Sequence, residues 1–306
     1  MLYNRDLLSI NDLTVEDIEN IFKFTDFLKS EEGKSHKPLI SKSIALYFEK
    51  PSTRTRVSFE VGIFQLGGQS IYLDNKSLQI SRGETLADTA RVLSRYVSCI
   101  VARTLKDETV RELAKYADIP VINALTDREH PCQALGDIYT VKEKLGSYKG
   151  LKFSFIGDGN NVANSLVLIC AKLGVNFSIA SPSSYEIKEE IKDLALKYAR
   201  DSGAILEFYN DPRLAVKDAD IIYTDVWVSM GDEAEEEKRN RDFQEFRVDS
   251  KLLELAKPTV KVMHCLPAIR GKEITDDVMD GPNSIIFDQA ENRLHVQKSI
   301  LSLILG

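Results

Sequence analysis

The sequence has no apolar run approaching the roughly 20 residues that span a bilayer. It contains only four cysteines, four histidines and one tryptophan, and positive charge is in deficit. Each shortage excludes something. No spanning helix is expected, and the opening Met1-Leu-Tyr-Asn-Arg-Asp lacks the basic-then-apolar layout of a signal peptide, so a cytosolic address is expected. Cys99, Cys132, Cys170 and Cys265 show neither CxxC nor finger spacing, which argues against a disulfide framework and a zinc module. Three of them sit in apolar stretches and read as core thiols. The net charge of −7 argues against general affinity for nucleic acid or for an anionic membrane. An anionic ligand must then be held by a local arginine cluster.

The 306 residues are 43% hydrophobic and 28% charged, a composition that suits a folded chain of two ordinary domains. Helix and strand patterns alternate throughout. Thr14 opens a helix with Asp17 three positions on, and Ile18, Ile21, Phe22 and Leu28 fall on one face. Strands are predicted at 43–48, 70–73, 99–103 and 120–123, with helices at 53–66, 84–96, 106–117 and 131–145. The segment 146–150 (Gly-Ser-Tyr-Lys-Gly) interrupts this series and is the expected domain boundary. A second series follows, with strands at 151–156, 176–180, 205–209, 220–224, 260–263 and 285–287 and helices at 162–173, 185–201 and 289–304. Such alternation predicts two α/β domains with parallel sheets, 1–145 and 150–288, and a ligand cleft between them. The polar run 232–241 (DEAEEEKRNR) reads as a solvated loop without a functional role for its charges.

Lys50-Pro-Ser52-Thr53-Arg54-Thr55-Arg56 follows a strand and opens a helix. Ser52 is placed as N-cap, so free backbone N–H groups, three hydroxyls and two arginines converge on one helix start. That combination suits a phosphate, because the helix end favours an anion and arginine matches its oxygens with paired donors. His130-Pro-Cys-Gln133 precedes another helix, and the Gln133 carboxamide suits a small amide-like group. Arg103 ends a strand, at the edge where α/β proteins bind ligands. Phe155-Ile-Gly157-Asp-Gly159-Asn-Asn161 resembles half a dinucleotide fingerprint. Val162 stands where that fingerprint needs Gly or Ala, and Ala180-Ser-Pro ends the next strand where an acid is expected. Asn161 remains a candidate ligand contact. Asp225-Val-Trp227-Val-Ser229-Met230-Gly231 and His264-Cys265-Leu266-Pro267 end two further strands. A strand-end Asp followed by Ser suits an ammonium group. Adjacent side chains on an extended segment point to opposite faces, so His264 and Cys265 are not expected to act as a nucleophile or zinc pair.

Together these segments resemble the aspartate/ornithine carbamoyltransferase family over essentially the whole chain and in the family order. Ser52-Thr-Arg-Thr55 is similar to its carbamoyl-phosphate signature, with Arg103 and His130-Pro-Cys-Gln133 as the remaining donors. Asp225-Val-Trp, Ser229-Met-Gly231 and His264-Cys265-Leu-Pro267 are similar to the ornithine branch. The resemblance implies two Rossmann-like domains with a final helix (about 289–304) returning to the first, where Arg293 joins the site. It also implies trimers or multiples of trimers, with Gln79 donated by a neighbouring subunit.

The chemistry implied is carbamoyl transfer from carbamoyl phosphate to ornithine without a metal or organic cofactor. Ser52, Thr53, Arg54 and Arg103 would hold the phosphate. His130, Thr55 and Arg103 would face the carbonyl oxygen, and Gln133, the Leu266 carbonyl and Arg293 the carbamoyl nitrogen. Asp225 and Ser229 would hold the α-ammonium of ornithine, Asn161 and the Met230 backbone its carboxylate, and Cys265 would assist in catalysis. A carbamoyltransferase for another amine such as putrescine, a ligand sensor on the same scaffold and a dehydrogenase are the competing readings.

Overall fold

The computed structural model describes residues 2–74, 83–228 and 233–306. The chain divides into two compact units, one comprising residues 1–139 with 292–306 and the other residues 140–291. The division falls inside helix α5 (Pro131–Leu145) and helix α12 (Ile286–Leu305), and the 146–150 segment lies within the second unit.

In the first unit, α1 (Val15–Lys29) starts where sequence predicts, with Thr14 and Asp17 exchanging side-chain and backbone hydrogen bonds in a capping box. Four parallel strands follow: β1 (Ser43–Phe48), β2 (Gln69–Asp74), β3 (Cys99–Arg103) and β4 (Val121–Leu125), in the order β2-β1-β3-β4. Helices α2 (Thr53–Gln65), α3 (Leu86–Tyr96) and α4 (Asp107–Tyr116) connect them. Burial of β1 and β3 on both faces explains their unbroken apolar runs. Ala45, Tyr47, Ile100 and Ala102 alternate onto one face and pack with Ala90 of α3 and Val110 and Leu113 of α4. The last part of α12 belongs to this unit, where Ser299 donates to the Ile21 carbonyl and Lys29 to Asn292.

The second unit holds β5 (Lys152–Ile156), β6 (Asn176–Ala180), β7 (Leu206–Tyr209), β8 (Ile221–Thr224) and β9 (Lys261–His264), all parallel, in the order β7-β6-β5-β8-β9. Between them run α6 (Asn161–Leu173), α7 (Glu189–Ser202), α8 (Pro212–Val216), α9 (Glu236–Asp242) and α10 (Ser250–Leu253), and α11 (Asp276–Met279) follows β9. Gly174 and Gly203 end α6 and α7 in the left-handed region, where a side chain would be strained. One predicted strand is absent. The chain at 283–285 does pair briefly with β9, as Val262 donates to Asn283 O and Ile285 to Val262 O. From Ile286 onward it is the first turn of α12, because a short apolar run fits either state and the long helical pattern behind it wins.

Candidate active site

Because every strand is parallel, each unit gathers its functional loops at the carboxyl edge of its own sheet. Each sheet also has a point where strand order reverses, between β1 and β3 in the first unit and between β5 and β8 in the second. Such switch points are where open α/β sheets bind ligands.

In the first unit Ser52 is extended (φ −158°) and its Oγ accepts from the Thr55 N–H at 3.3 Å, capping α2. Thr55 is fully buried, and its hydroxyl receives Arg293 Nη2 at 2.7 Å and Arg103 Nη1 at 3.4 Å. Two buried guanidinium groups thus meet at the positive end of α2, an environment complementary to an anion. Thr53 is exposed and Arg54 half-buried on the same turn, and among the described residues no carboxylate pairs with Arg54. Arg103 brings β3 level with the end of β1, since it pairs with Phe48 and its carbonyl accepts from the Glu49 N–H.

His130 lies between β4 and α5, with Pro131 as the first helical residue. Buried Glu129 anchors this loop by accepting from Ser9 Oγ at 2.5 Å and the Ile10 N–H at 3.0 Å. Burial, reinforced by Arg293 and Arg103, holds the His130 pKa well below the ordinary histidine range. The ring is therefore neutral at pH 7, with one nitrogen a donor and the other an acceptor. Unfolding restores the ordinary pKa, so below about pH 6.5 only the unfolded chain takes up this proton. Stability contributed above that pH is lost as pH falls toward the folded value. Between pH 7.5 and 5.5 the unfolding free energy should drop further in the wild type than in His130→Gln. Urea unfolding at the two pH values measures the difference, and equal slopes would show a protonated ring in the fold.

Gln133, one turn into α5, is buried, and its Nε2 donates to Asp137 Oδ1 at 2.8 Å. Its Oε1 is buried with no hydrogen-bond partner among the described residues.

In the second unit the switch point carries a buried carboxylate. Asp225, just past β8, accepts from Asn160 Nδ2 at 2.9 Å, the Val226 N–H at 2.8 Å and Cys265 Sγ at 3.0 Å. Among the described residues no cation pairs with it. Its negative charge is complementary to an ammonium ion. Cys265 donates to Asp225 as a thiol; a thiolate there would place two negative charges about 3 Å apart.

The expectation that His264 and Cys265 diverge fails, because β9 ends at His264 and the two-residue alternation ends with it. Ligand atoms of Asp225, His264 and Cys265 all lie within 4.8 Å of one another. The imidazole is already committed, however. Nδ1 accepts from the Leu266 N–H at 2.8 Å, which places the neutral ring's proton on Nε2, 3.1 Å from Glu273 Oε1. Leu266 sits at φ 59°, a costly conformation for a bulky residue, and the bond to His264 helps to hold its peptide there.

Gly157 and Gly159 do not cradle a dinucleotide. A β-carbon on Gly159 would lie 2.3 Å from Ile187 N and 2.4 Å from Glu186 C, so chain already fills that space. Asn160 Oδ1 accepts from the Val162 and Ala163 N–H groups and occupies the donors a pyrophosphate would use. Asn161 begins α6 half-buried beside it.

Three residues of this neighbourhood escaped the sequence reading. Asn160 carries an N-cap signal but none for its link to Asp225. Asp158 and Arg239 form a buried ion pair at 2.6 Å, and Arg239 also donates to the Trp227 carbonyl at 3.1 Å. The run 232–241 is thus not a uniformly solvated loop: residues 236–242 form α9, with Arg239 over the Tyr185 ring and Asp242 accepting from the Tyr185 hydroxyl. Gln79, Ser229, Met230 and Gly231 lie outside the described residues.

Both halves of the chain match known proteins. The carbamoyl-P binding domain of the aspartate/ornithine carbamoyltransferases matches residues 5–143, and their Asp/Orn binding domain matches residues 149–304. Ornithine carbamoyltransferase of Thermococcus kodakarensis is 53% identical over 100% of this chain and 98% of its own. That of Bacillus subtilis is 53% identical over 99% of this chain and 95% of its own. The solved ornithine carbamoyltransferase from Pyrococcus furiosus superposes with a TM-score of 0.96 at 53% identity, covering 100% of this chain and 98% of its own. The enzyme from Giardia lamblia does so at 0.90 and 33%, covering 99% and 98%. Matched in both halves, over its whole length and in structure, the chain belongs to the aspartate/ornithine carbamoyltransferase family.

Proposed function

We propose that this protein transfers the carbamoyl group of carbamoyl phosphate to the δ-amine of L-ornithine, giving citrulline and phosphate. The observation that carries the proposal is the opposite electrostatics of the two sets of residues. Arg103 and Arg293 converge on one hydroxyl at a helix N-terminus, whereas Asp225 is a buried carboxylate without a cation among the described residues. The first set suits a dianionic acyl phosphate, the second an α-ammonium group. The matched relatives are named for ornithine.

In this reading Ser52, Thr53, Arg54 and Arg103 bind the phosphate oxygens. His130, Thr55 and Arg103 donate to the carbonyl oxygen as it gains charge; one such donor is worth roughly 3–4 kcal/mol in the transition state. Neutral His130 fits this role, since it donates without first taking up a proton. Gln133, the Leu266 carbonyl and Arg293 orient the carbamoyl nitrogen. Asp225 and Ser229 hold the α-ammonium, Asn161 and the Met230 backbone hold the carboxylate, and Cys265 assists beside Asp225. The δ-nitrogen attacks the carbonyl carbon, the carbon–oxygen bond to phosphate breaks, and phosphate leaves with the proton that the amine gives up. No step requires a metal or organic cofactor. Residues 1–145 with the C-terminal helix from about 289 to 306 form the carbamoyl-phosphate domain, and 150–288 the ornithine domain.

Incubation with carbamoyl phosphate and ornithine should yield citrulline and phosphate in equal amounts, with putrescine and aspartate poor substitutes. Phosphate release without citrulline would refute the proposal. A lysine-like pKa of about 10.4 leaves only about one amine in a few thousand neutral at pH 7, so the rate should climb from pH 6 to above pH 8.

The proposal includes assembly as a homotrimer or multiple of trimers in the cytoplasm. Val57, Val61 and Phe64 form an exposed apolar stripe on α2, with Phe64 79% exposed, and Ile71 is exposed on edge strand β2. Such a stripe suits contact with another copy. Among the described residues no helix is long and apolar enough to cross a membrane. If Gln79 serves a neighbouring site, inactive Gln79→Ala and Arg103→Ala chains should regain activity when unfolded, mixed and refolded. Random trimers would place intact residues together at about a quarter of interfaces. Verified mixed trimers that stay inactive would refute sharing.

A further inference from the structure

The buried carboxamide of Gln133 is chemically lopsided. Its nitrogen donates to Asp137 Oδ1 at 2.8 Å, from one turn away on α5, and both side chains are buried. Its oxygen, equally buried, has no partner among the described residues. An ionised carboxylate only accepts, so turning the carboxamide over would set two oxygens against each other. We propose that Asp137 is a positioning residue that locks the Gln133 amide with its oxygen as the available acceptor, and so makes the site select an acyl phosphate bearing an N–H donor over one bearing a methyl group.

The inference rests on the function proposed above and extends it to selectivity. A carbamoyl NH2 supplies the donor that Gln133 Oε1 lacks. An acetyl group has nearly the same size and offers none, so its binding leaves a buried oxygen unpaired. Where Asp137 is replaced by a residue that also donates, the carboxamide can turn and set its NH2 against the carbamoyl NH2. Asp137 itself touches neither ligand in this account.

The test is calorimetric titration of the full-length protein with carbamoyl phosphate, acetyl phosphate and inorganic phosphate, alongside a separate citrulline assay. Wild type should prefer carbamoyl over acetyl phosphate by about tenfold to a hundredfold. Asp137→Asn and Asp137→Ala should lose most of that preference through weaker carbamoyl phosphate binding, while acetyl phosphate and phosphate change by less than about twofold. Parallel weakening of all three ligands would mean a merely structural Asp137 and overturn the inference, as would an unchanged preference. If neither Asp137 variant folds, Gln133→Met keeps the shape and removes the acceptor; a retained preference there overturns the proposal equally. Absence of citrulline with the preference intact would instead count against the transferase reading alone.

Discussion

Arg54→Lys should lower kcat/KM for carbamoyl phosphate by about a hundredfold to a thousandfold, with little change in thermal stability. The side chain is half-buried on the first turn of α2, and among the described residues no carboxylate engages it. Its removal therefore breaks no ion pair among the described residues, and substitutions of that kind usually stay within about 0.5 kcal/mol. The planar double donor is another matter. Lysine keeps the charge but offers a point donor, so a phosphate held by two parallel bonds loses geometry as well as energy. Steady-state kinetics with thermal unfolding on the same preparation provides the measurement. Near-normal turnover in a folded Arg54→Lys protein would remove Arg54 from the phosphate site.

Asp225→Asn should raise the KM for ornithine by about a hundredfold or more and leave binding of carbamoyl phosphate nearly unchanged, because the charge proposed to hold the α-ammonium disappears from a buried position. The change also disturbs the unit itself. Asp225 accepts from Asn160, Val226 and Cys265, so an NH2 in place of either oxygen meets a donor. A stability loss of about 1 kcal/mol is expected from that mismatch. Comparing the two substrates separates these effects: equal weakening of both would make Asp225 a structural acceptor only.

Much of this molecule is written in short-range pattern. The parallel strands follow from apolar runs bounded by caps, and the start of α2 is legible because Ser52, Thr55 and the strand before them form one strand–turn–helix unit. His130 and Gln133 are legible for the same reason, lying just before and within the first turn of a single helix. Caps, turns and periodicity act over three or four residues, and a sequence displays them directly. What the tertiary structure decided is which distant groups meet. Arg293 reaches the Thr55 hydroxyl from 238 positions away; family resemblance implied that Arg293 joins the site, but not this contact. Asn160 meets Asp225 because β5 and β8 are neighbours, and strand order is set by crossovers and packing and not by any property of the two residues. Arg239 stands in a run that reads as solvated charge, yet the packing of α9 against Tyr185 and Trp227 buries it on Asp158. A polar side chain carries no local sign of whether it will face water, since burial depends on the apolar surface that other elements bring to it.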